Sequence, residues 1–495
     1  MRSKVRRWDG AACMALMAMG FAVVYFYASG TSPIRPDSYQ WDSALFQVVG
    51  KLWADGLTPY VDIFDHKGPL LFWIQRVAYG FSNPRMALYC IESLHVGIGL
   101  ALAYGCMRIR LKPPVAFGGA VLTGLFWLPL MEYGNLCETY CLPYLMLALL
   151  LQLRYLCAKR TEHPWRYGLI YGLCFGANLM IRPNNGMLIA AITFVITVRL
   201  AVCGQWRCIL QNALALMAGI LVVVLPFAVY FTIKGAWAEF VYASWTFNLK
   251  YAESLKFHLG WQELRGVLFY LTPALLCAGL SVWALLQRKL LTASVLLMAS
   301  ASTLLVTISG VGYAHYFMLH TPLIPLAFAL SPELAERGRL WRMGTAAACL
   351  LLVIAIGYAD LPYAVGNVLS PPTAEEAAQE ADYDRLVETL QNQIPPEERS
   401  SVAVCGLQVA DAELFLKTDL HPVGRYCFLM EWHARADRAI KDAYLNTLRQ
   451  GEAKWLICRK GEASREVTAT VDELFILQAS YECAGAEYQV YRWRE

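Results

Sequence analysis

The chain has 495 residues, of which 57% are hydrophobic and only 16% charged, and its mean hydropathy is +0.41. A soluble domain averages about 25% charged residues, so this composition excludes a wholly soluble protein and predicts a polytopic membrane protein with some soluble mass. The net charge of +4 is small and scattered, which argues against nucleic acid as a partner. The cysteines lie mostly inside apolar runs without CxxC or zinc spacing, which predicts small buried side chains rather than metal ligands.

Apolar segments long enough to cross a membrane recur along most of the chain. A span needs about 20 mostly apolar residues, and about eleven segments qualify: 11–29, 85–107, 115–131, 137–156, 166–181, 185–202, 209–233, 263–287, 290–309, 314–331 and 343–363. The first follows a basic start and lacks a clear small-x-small cleavage site, so we predict a retained span rather than a signal peptide.

The basic residues between these segments predict the orientation. With the N-terminus in the cytoplasm, the cytoplasmic loops carry most of the Lys and Arg, as the positive-inside rule requires, whereas the opposite loops carry few. This orientation places 30–84, 132–138, 182–185, 234–262 and everything after about 364 outside the cytoplasm. Segment 69–81 is too short to span and contains Arg76, so we predict an interfacial helix there.

From Ser370 the chain becomes polar, and its pattern of short apolar runs and helical segments predicts a small α/β domain. Segments 401–407, 455–458 and 483–494 are predicted strands, and 382–393 and 434–449 are predicted helices. The four cysteines of this tail favour disulfides and free buried thiols about equally: Cys405, Cys427, Cys458 and Cys483. No nucleotide-binding fingerprint occurs in it.

The stretch from Trp41 to Trp73 carries the densest group of ionisable residues in the first half of the chain. Asp42 precedes an apolar-periodic run, which predicts a helix N-cap or a catalytic carboxylate, and the two roles are compatible. Asp62, Asp65, His66 and Lys67 fall within six positions at the lip of the bilayer, where they indicate either a solvated loop or a site for an anionic headgroup. Lys67 precedes a Gly-Pro turn into a helix, which favours phosphate, while His66 offers a further donor or a metal ligand.

Three more polar residues lie at the predicted outer ends of spans. Glu138 opens one span, and Arg182 lies in a loop too short to leave the membrane surface, so its charge favours a phosphate or carboxylate partner over snorkelling. His315 lies at the outer end of a later span. The 234–262 loop is aromatic and predicts either a cover over a lipid or sugar pocket or an interfacial helix.

The ordered set of Asp42, Gly56, Pro59, Tyr60, Asp62, Asp65, Lys67 and Pro69 resembles the first outer loop of bacterial GT-C glycosyltransferases. These enzymes are similar to protein O-mannosyltransferases and to the aminoarabinose transferase of lipid A. The RPNNG segment at 182–186 and HYFMLHTP at 315–322 resemble later segments of the same family, so the resemblance covers most of 1–365. This chain departs from the family pattern at two places. It has Asp42-Ser43 where the mannosyltransferases tend to carry Asp-Glu. It has His66-Lys67-Gly68-Pro69 where the lipid A enzyme carries a motif similar to Glu-Lys-Pro-Pro.

The resemblance implies a glycosyltransferase with a polyprenyl-phosphate hexose or pentose as donor and a glycan, lipid or protein of the cell envelope as acceptor. Asp42 would be the general base and the outcome inversion, with Lys67, Arg182 and His315 binding the donor phosphate. Glu138, Asp62, Asp65 and His66 would orient the acceptor or support the site. No cofactor is certain from the sequence, and a divalent metal ion is possible.

The sequence therefore predicts a mostly α-helical polytopic protein of the plasma membrane. Its GT-C-like catalytic domain would cover 1–365, with 30–84 as the first outer loop, and an extracytoplasmic α/β domain would cover 366–495. A lipid-linked sugar flippase is the first alternative, but it would need paired half-repeats and mid-span charges. A membrane sensor with a ligand-binding tail is the second, and it would leave most of the spans unexplained.

Overall fold

The computed structural model describes residues 2–36, 38–158, 160–254, 268–308, 313–334, 373–405, 412–428, 431–483 and 485–494. They fall into two compact units. The helical unit draws on 1–36, 85–227 and 257–368, and the mixed unit draws on 37–84, 228–256 and 369–495. The predicted span 343–363 and the predicted domain boundary near 365 lie outside the described residues. The mixed unit joins the first outer loop and part of the 234–262 loop to the C-terminal tail, a grouping that the sequence did not predict.

The described residues are mostly helical, as predicted. In chain order the helices are α1 (Arg2–Tyr27), α2 (Trp41–Ala54), α3 (Pro69–Tyr79), α4 (Pro84–Arg108), α5 (Pro113–Trp127), α6 (Cys137–Cys157), α7 (Trp165–Ile181), α8 (Met187–Val202), α9 (Trp206–Ile233), α10 (Trp237–Val241), α11 (Phe247–Ser254), α12 (Thr272–Leu286), α13 (Leu290–Ile308), α14 (Leu323–Leu334), α15 (Ala374–Gln393), α16 (Glu413–Lys417), α17 (Glu431–Ala436), α18 (Arg438–Arg449) and α19 (Arg465–Leu474).

Seven helices of the described residues are long and apolar enough to cross a membrane, and α12 is apolar but shorter. The chain is therefore a multi-pass membrane protein, although the predicted number of about eleven spans is not confirmed. The start of the predicted span 314–331 is wrong, because Ala314–His320 forms a 3-10 helix and α14 begins only at Leu323. Pro322 and Pro325 have no N–H to donate, so one continuous α-helix through this stretch would lose two of its hydrogen bonds.

Helices α7 and α9 pack backbone to backbone inside the helical unit. A Cβ built on Gly172 would lie 2.0 Å from the carbonyl oxygen of Leu216, and one built on Gly219 would lie 2.2 Å from that of Leu169. Membrane helices associate closely through such small residues because lipid supplies no hydrophobic force between them. This pair therefore depends on glycine at two facing positions.

The C-terminal part of the mixed unit contains a four-stranded sheet in the order β1-β2-β4-β3. Strands β1 (Val402–Cys405) and β2 (Trp455–Arg459) are parallel, whereas β3 (Phe475–Cys483) and β4 (Ala486–Trp493) form an antiparallel pair. The small α/β region is confirmed, but the sequence did not predict β3 or α19. Most residues of β3 are exposed, so this edge strand lacks the apolar run that identified β1 and β2. The four tail cysteines are buried thiols rather than disulfides in the structure.

In the mixed unit, α2 and α3 form a close pair. A Cβ built on Gly50 would lie 2.2 Å from the Cβ of Gln75. Helix α3 occupies the segment predicted as an interfacial helix, and its position in the interface stays a prediction. The 234–262 loop contains α10, a π-helix over Tyr242–Thr246 and α11, and its last residues are not described.

Candidate active site

Asp42 lies in the first turn of α2 and its side chain is half-buried. The helix begins at Trp41 after Gln40, so the prediction that Asp42 caps it is wrong. The N–H groups of Tyr39 and Gln40 donate instead to Oε1 of Glu413, at 3.2 and 3.3 Å. None of the described residues donates a hydrogen bond to the half-buried Asp42. The helix dipole stabilises a negative charge at this position.

The C-terminal end of α2 is also held by α16, the tail helix that contains Glu413. Lys51 Nζ donates to the carbonyl oxygens of Phe415 at 2.7 Å and of Thr418 at 2.8 Å. Glu413, Phe415 and Thr418 therefore fix α2 at both ends, because they accept hydrogen bonds from the residues before it and from its last turn. This arrangement fixes the direction of the first turn, which carries Asp42.

Asp65 is buried and shapes the turn that presents Lys67. Its Oδ1 accepts the backbone N–H of Lys67 at 2.8 Å, and the hydroxyl of Tyr60 donates to the Lys67 carbonyl oxygen at 2.8 Å. Burial raises the pKa of Asp65, the charge of Lys67 opposes that shift, and the nearby charge of Asp42 adds to it. The charges of Asp42 and Lys67 therefore both act on the Asp65 carboxylate.

Lys67 is the only cation of the four predicted residues at 62–67, and its ammonium group lies 2.9 Å from Nε2 of His66. The start of α3, which follows Lys67, has fewer free backbone N–H groups for a phosphate than the sequence predicted. Pro69 has no N–H, and the N–H of Leu71 is bonded to the Gly68 carbonyl oxygen at 3.2 Å. Anion binding at this turn therefore depends mainly on the Lys67 side chain.

Asp62 is engaged within its own loop. Its Oδ2 accepts the backbone N–H of Thr58 at 2.6 Å, next to Tyr60, which has a positive φ of 71°. A non-glycine residue in this region is uncommon and needs such local bonds to hold it. Asp62 thus stabilises the loop, and its predicted contact with the acceptor stays a prediction.

Glu138, Arg182 and His315 meet in the helical unit. Arg182 Nη1 donates to Oε1 of the buried Glu138 at 2.6 Å, and its guanidinium carbon lies 4.0 Å from the ring centroid of Tyr316. Glu138 lies in the first turn of α6, and Asn185 Nδ2 lies 3.4 Å from the same Glu138 oxygen. The expectation that Arg182 finds a charged partner is met by Glu138 inside the chain.

His315 is paired with Glu132, which the sequence did not single out. The Glu132 Oε1 atom lies 3.0 Å from Nδ1 of His315 and accepts its backbone N–H at 3.2 Å. Burial alone would lower the pKa of His315, but the hydrogen bond to Glu132 and the charges of Glu138 and Glu132 raise it overall. The imidazolium is therefore the favoured form over a wider pH range than for a free histidine.

The comparisons with known proteins bear on the fold and on part of the sequence. Residues 66–234 match the family model described as dolichyl-phosphate-mannose-protein mannosyltransferase. Among curated protein sequences, none matches this chain.

Two related proteins of known structure share the fold of this chain. ArnT from Cupriavidus metallidurans superposes with a TM-score of 0.55 at 11% identity, over 98% of each chain, and its complex with undecaprenyl phosphate gives 0.54 at 12%. The Archaeoglobus fulgidus oligosaccharyltransferase gives 0.50 at 12% identity, over 90% of this chain and 69% of that one. Both are GT-C glycosyltransferases. The chain has the GT-C fold.

The predicted GT-C site residues form two groups. Asp42, Asp62, Asp65, His66 and Lys67 lie in the mixed unit, and Glu138, Arg182 and His315 lie in the helical unit. In the second group each cation already has a carboxylate partner, but Glu138 bonds to Nη1 of Arg182 alone and Glu132 to the Nδ1 side of His315, so this pairing does not exclude a phosphate. The phosphate-binding role of Arg182 and His315 and the acceptor role of Glu138 stay predictions.

The sequence reasoning missed two carboxylates: Glu132, in the short loop before α6, and Glu92 of α4, which holds that loop. Thr31 Oγ1 and the N–H of Asn135 donate to the buried Glu92 carboxylate at 2.5 and 2.7 Å. The loop has positive φ at Glu132 (49°), Gly134 (78°) and Asn135 (57°), so it needs these bonds. A carboxylate nine residues into an apolar helix was the available signal, since such residues are costly unless paired.

The described residues contain no group of three or more His, Cys, Asp and Glu side chains placed to hold a metal ion. His66 lies 3.9 Å from Asp65 and 2.9 Å from the Lys67 ammonium, and a neighbouring cation is an unfavourable environment for a metal ligand. The possible divalent metal stays a prediction.

Proposed function

We propose that this chain is a glycosyltransferase that moves a hexose or pentose from a polyprenyl-phosphate donor to an acceptor outside the cytoplasm. The GT-C fold supports this proposal, as does the undecaprenyl phosphate bound to one structural relative. The observation that carries it is the Asp42 carboxylate, which has no donor among the described residues and lies beside the turn formed by Asp65 and Lys67.

Asp42 is the proposed general base. Its carboxylate takes the proton of an acceptor hydroxyl, whose oxygen then bonds to the anomeric carbon of the donor sugar. Attack opposite the phosphate inverts the anomeric configuration, and the proton on Asp42 passes to water afterwards. A positioned base typically contributes about 10²–10⁴-fold to such a rate.

Lys67 is the proposed electrostatic partner of the leaving group. When the bond between the anomeric carbon and the phosphate oxygen breaks, the electron pair leaves on the lipid phosphate. An ammonium group already fixed by its turn stabilises that developing charge without reorganisation. Asp65 holds the backbone of the turn, and Tyr60 anchors its carbonyl oxygen, so both position Lys67.

The donor can be tested before the acceptor is known. Native mass spectrometry of the detergent-purified protein should release a lipid with the mass of a polyprenyl phosphate carrying a hexose or a pentose. Only bulk phospholipid, even after synthetic polyprenyl-phosphate sugars are added, would contradict the proposal and favour transport or sensing.

The Asp42→Asn variant tests the base. We expect release of polyprenyl phosphate from a donor that wild type consumes to fall by roughly 10²–10⁴-fold, with unchanged lipid binding. Asp55→Asn is the matched control, because Asp55 is an exposed carboxylate at the other end of the same helix. Equal turnover by Asp42→Asn and wild type would exclude Asp42 as the base.

A further inference from the structure

His433, in the C-terminal part of the mixed unit, has an imidazole that the chain does not satisfy. It is 2% exposed, and neither ring nitrogen has a hydrogen-bond partner among the residues that the structure describes. Burial and the nearby charge of Lys67 lower its pKa to about 3, so the ring is neutral. The Phe428 backbone opposes this shift, although its contact with the ring falls short of hydrogen-bond geometry. A neutral imidazole has one N–H donor and one acceptor nitrogen, which is the pairing capacity of a hydroxyl group.

Aromatic rings surround this imidazole on the side of Lys67. The His433 ring centroid lies 3.8 Å from that of Trp432, 5.6 Å from Phe247 and 6.2 Å from His66. Tyr251 extends the group, 5.0 Å from Trp432 and 5.9 Å from His66. Trp432 and Tyr251 are only half-buried, so aromatic surface stays accessible beside the turn that carries Lys67.

Hydrogen bonds join the three chain segments that carry His66, Tyr251 and His433. Asp437, the N-cap of α18, accepts the hydroxyl of Tyr242 at 2.5 Å and the ammonium of Lys250 at 2.6 Å. Asn248 Nδ2 donates to the His66 carbonyl oxygen at 2.9 Å. The tail, the segment before residue 254 and the first outer loop are thus joined beside Trp432 and His433.

We propose that Trp432 and His433 of the tail, with Tyr251, form a subsite for the sugar ring of the donor next to Lys67. The C–H face of the sugar stacks on the aromatic rings, and its hydroxyls pair with the neutral imidazole. Pockets of this kind combine aromatic walls with a few fixed polar groups. The inference rests on the proposed function, because Lys67 binds the phosphate of the same donor.

The test compares lipids with and without a sugar on the full-length protein in nanodiscs. The probes are short-chain polyprenyl phosphates carrying a hexose or a pentose, with the unglycosylated polyprenyl phosphate as reference. Trp432→Ala should weaken binding of the glycosylated lipid roughly 3- to 10-fold and leave the reference unchanged, while Trp432→Phe retains most of the affinity. Trp165→Ala removes an exposed tryptophan of the helical unit and should change neither.

His433→Phe separates the subsite from a purely structural role. It keeps a ring in the cluster and removes two unsatisfied buried nitrogens, so the ligand-free melting temperature should stay the same or rise. The preference for the glycosylated lipid should nevertheless fall as in Trp432→Ala. A preference equal to that of wild type in both variants would overturn the subsite.

The remaining outcomes distinguish this inference from the proposed function. No preference of wild type for any glycosylated lipid would contradict the proposed donor itself. A preference that survives in Trp432→Ala, together with slower transfer, would place the acceptor sugar at these rings and overturn the donor assignment.

Discussion

At the scale of single residues, the carboxylate of Glu132 determines the charge of His315. Besides Glu132, the groups facing that imidazole are Glu138, Arg182, Tyr313 and Tyr316. The raised pKa of His315 stabilises the fold fully below its unfolded value of about 6.5, and this contribution is lost as the pH rises through the folded value. We expect Glu132→Gln to lower the melting temperature at pH 5.5, with a difference from wild type that shrinks as the pH rises. Equal differences at all pH values would show that the carboxylate acts only through packing.

The sequence singled out Asp42 and Lys67 because several polar residues recur at short spacing among aromatics, and it did not single out Glu132 and His433. Glu132 is one carboxylate in a short loop, and its contact with His315 depends on a positive φ that no residue type there indicates. His433 lies at the start of what reads as an ordinary helical pattern. Its unsatisfied nitrogens become visible only when Phe247 and Trp432 lie against it.

At the scale of elements, the glycines between α7 and α9 set how closely those helices approach. Gly172→Ala would place a Cβ 2.0 Å from a backbone carbonyl oxygen, so the helices must separate. We expect a loss of roughly 1–3 kcal/mol, measured as a lower melting temperature in detergent. Gly118→Ala in α5 is the matched control, because nothing lies within 4 Å of its added Cβ, and it should be neutral or slightly stabilising. Equal effects of the two substitutions would contradict the close packing.

Element prediction succeeded where burial leaves a pattern in the sequence. Strands β1 and β2 are buried along nearly their whole length and therefore read as apolar runs, whereas β3 is an exposed edge strand held by pairing with β4. The prediction that Asp42 caps α2 was wrong for a different reason. The partner of the N–H groups before α2 is Glu413, which lies 373 residues away from Gln40, so no local pattern could indicate it.

At the scale of the whole molecule, the distribution of basic residues predicts which side of the membrane each loop faces. Cys203 is the exposed cysteine among the described residues, and it follows α8 in a loop predicted to be cytoplasmic. A membrane-impermeant maleimide should therefore label Cys203 only after the cells are permeabilised. A cysteine introduced by Gln478→Cys on the exposed part of β3 should be labelled in intact cells. Labelling of Cys203 in intact cells would reverse the orientation and place the proposed chemistry in the cytoplasm.

The hydrogen bonds that fix α2 also constrain how this protein is made. Translation proceeds from the N-terminus at about 5–20 residues per second, so the 373 residues between Gln40 and Glu413 take roughly 20–75 s to synthesise. During that interval the segment bearing Asp42 has been synthesised, whereas the carboxylate that binds the backbone before it does not yet exist. The N–H groups of Tyr39 and Gln40 therefore need other hydrogen-bond acceptors, from lipid headgroups or from the insertion machinery, until the last quarter of the chain is synthesised.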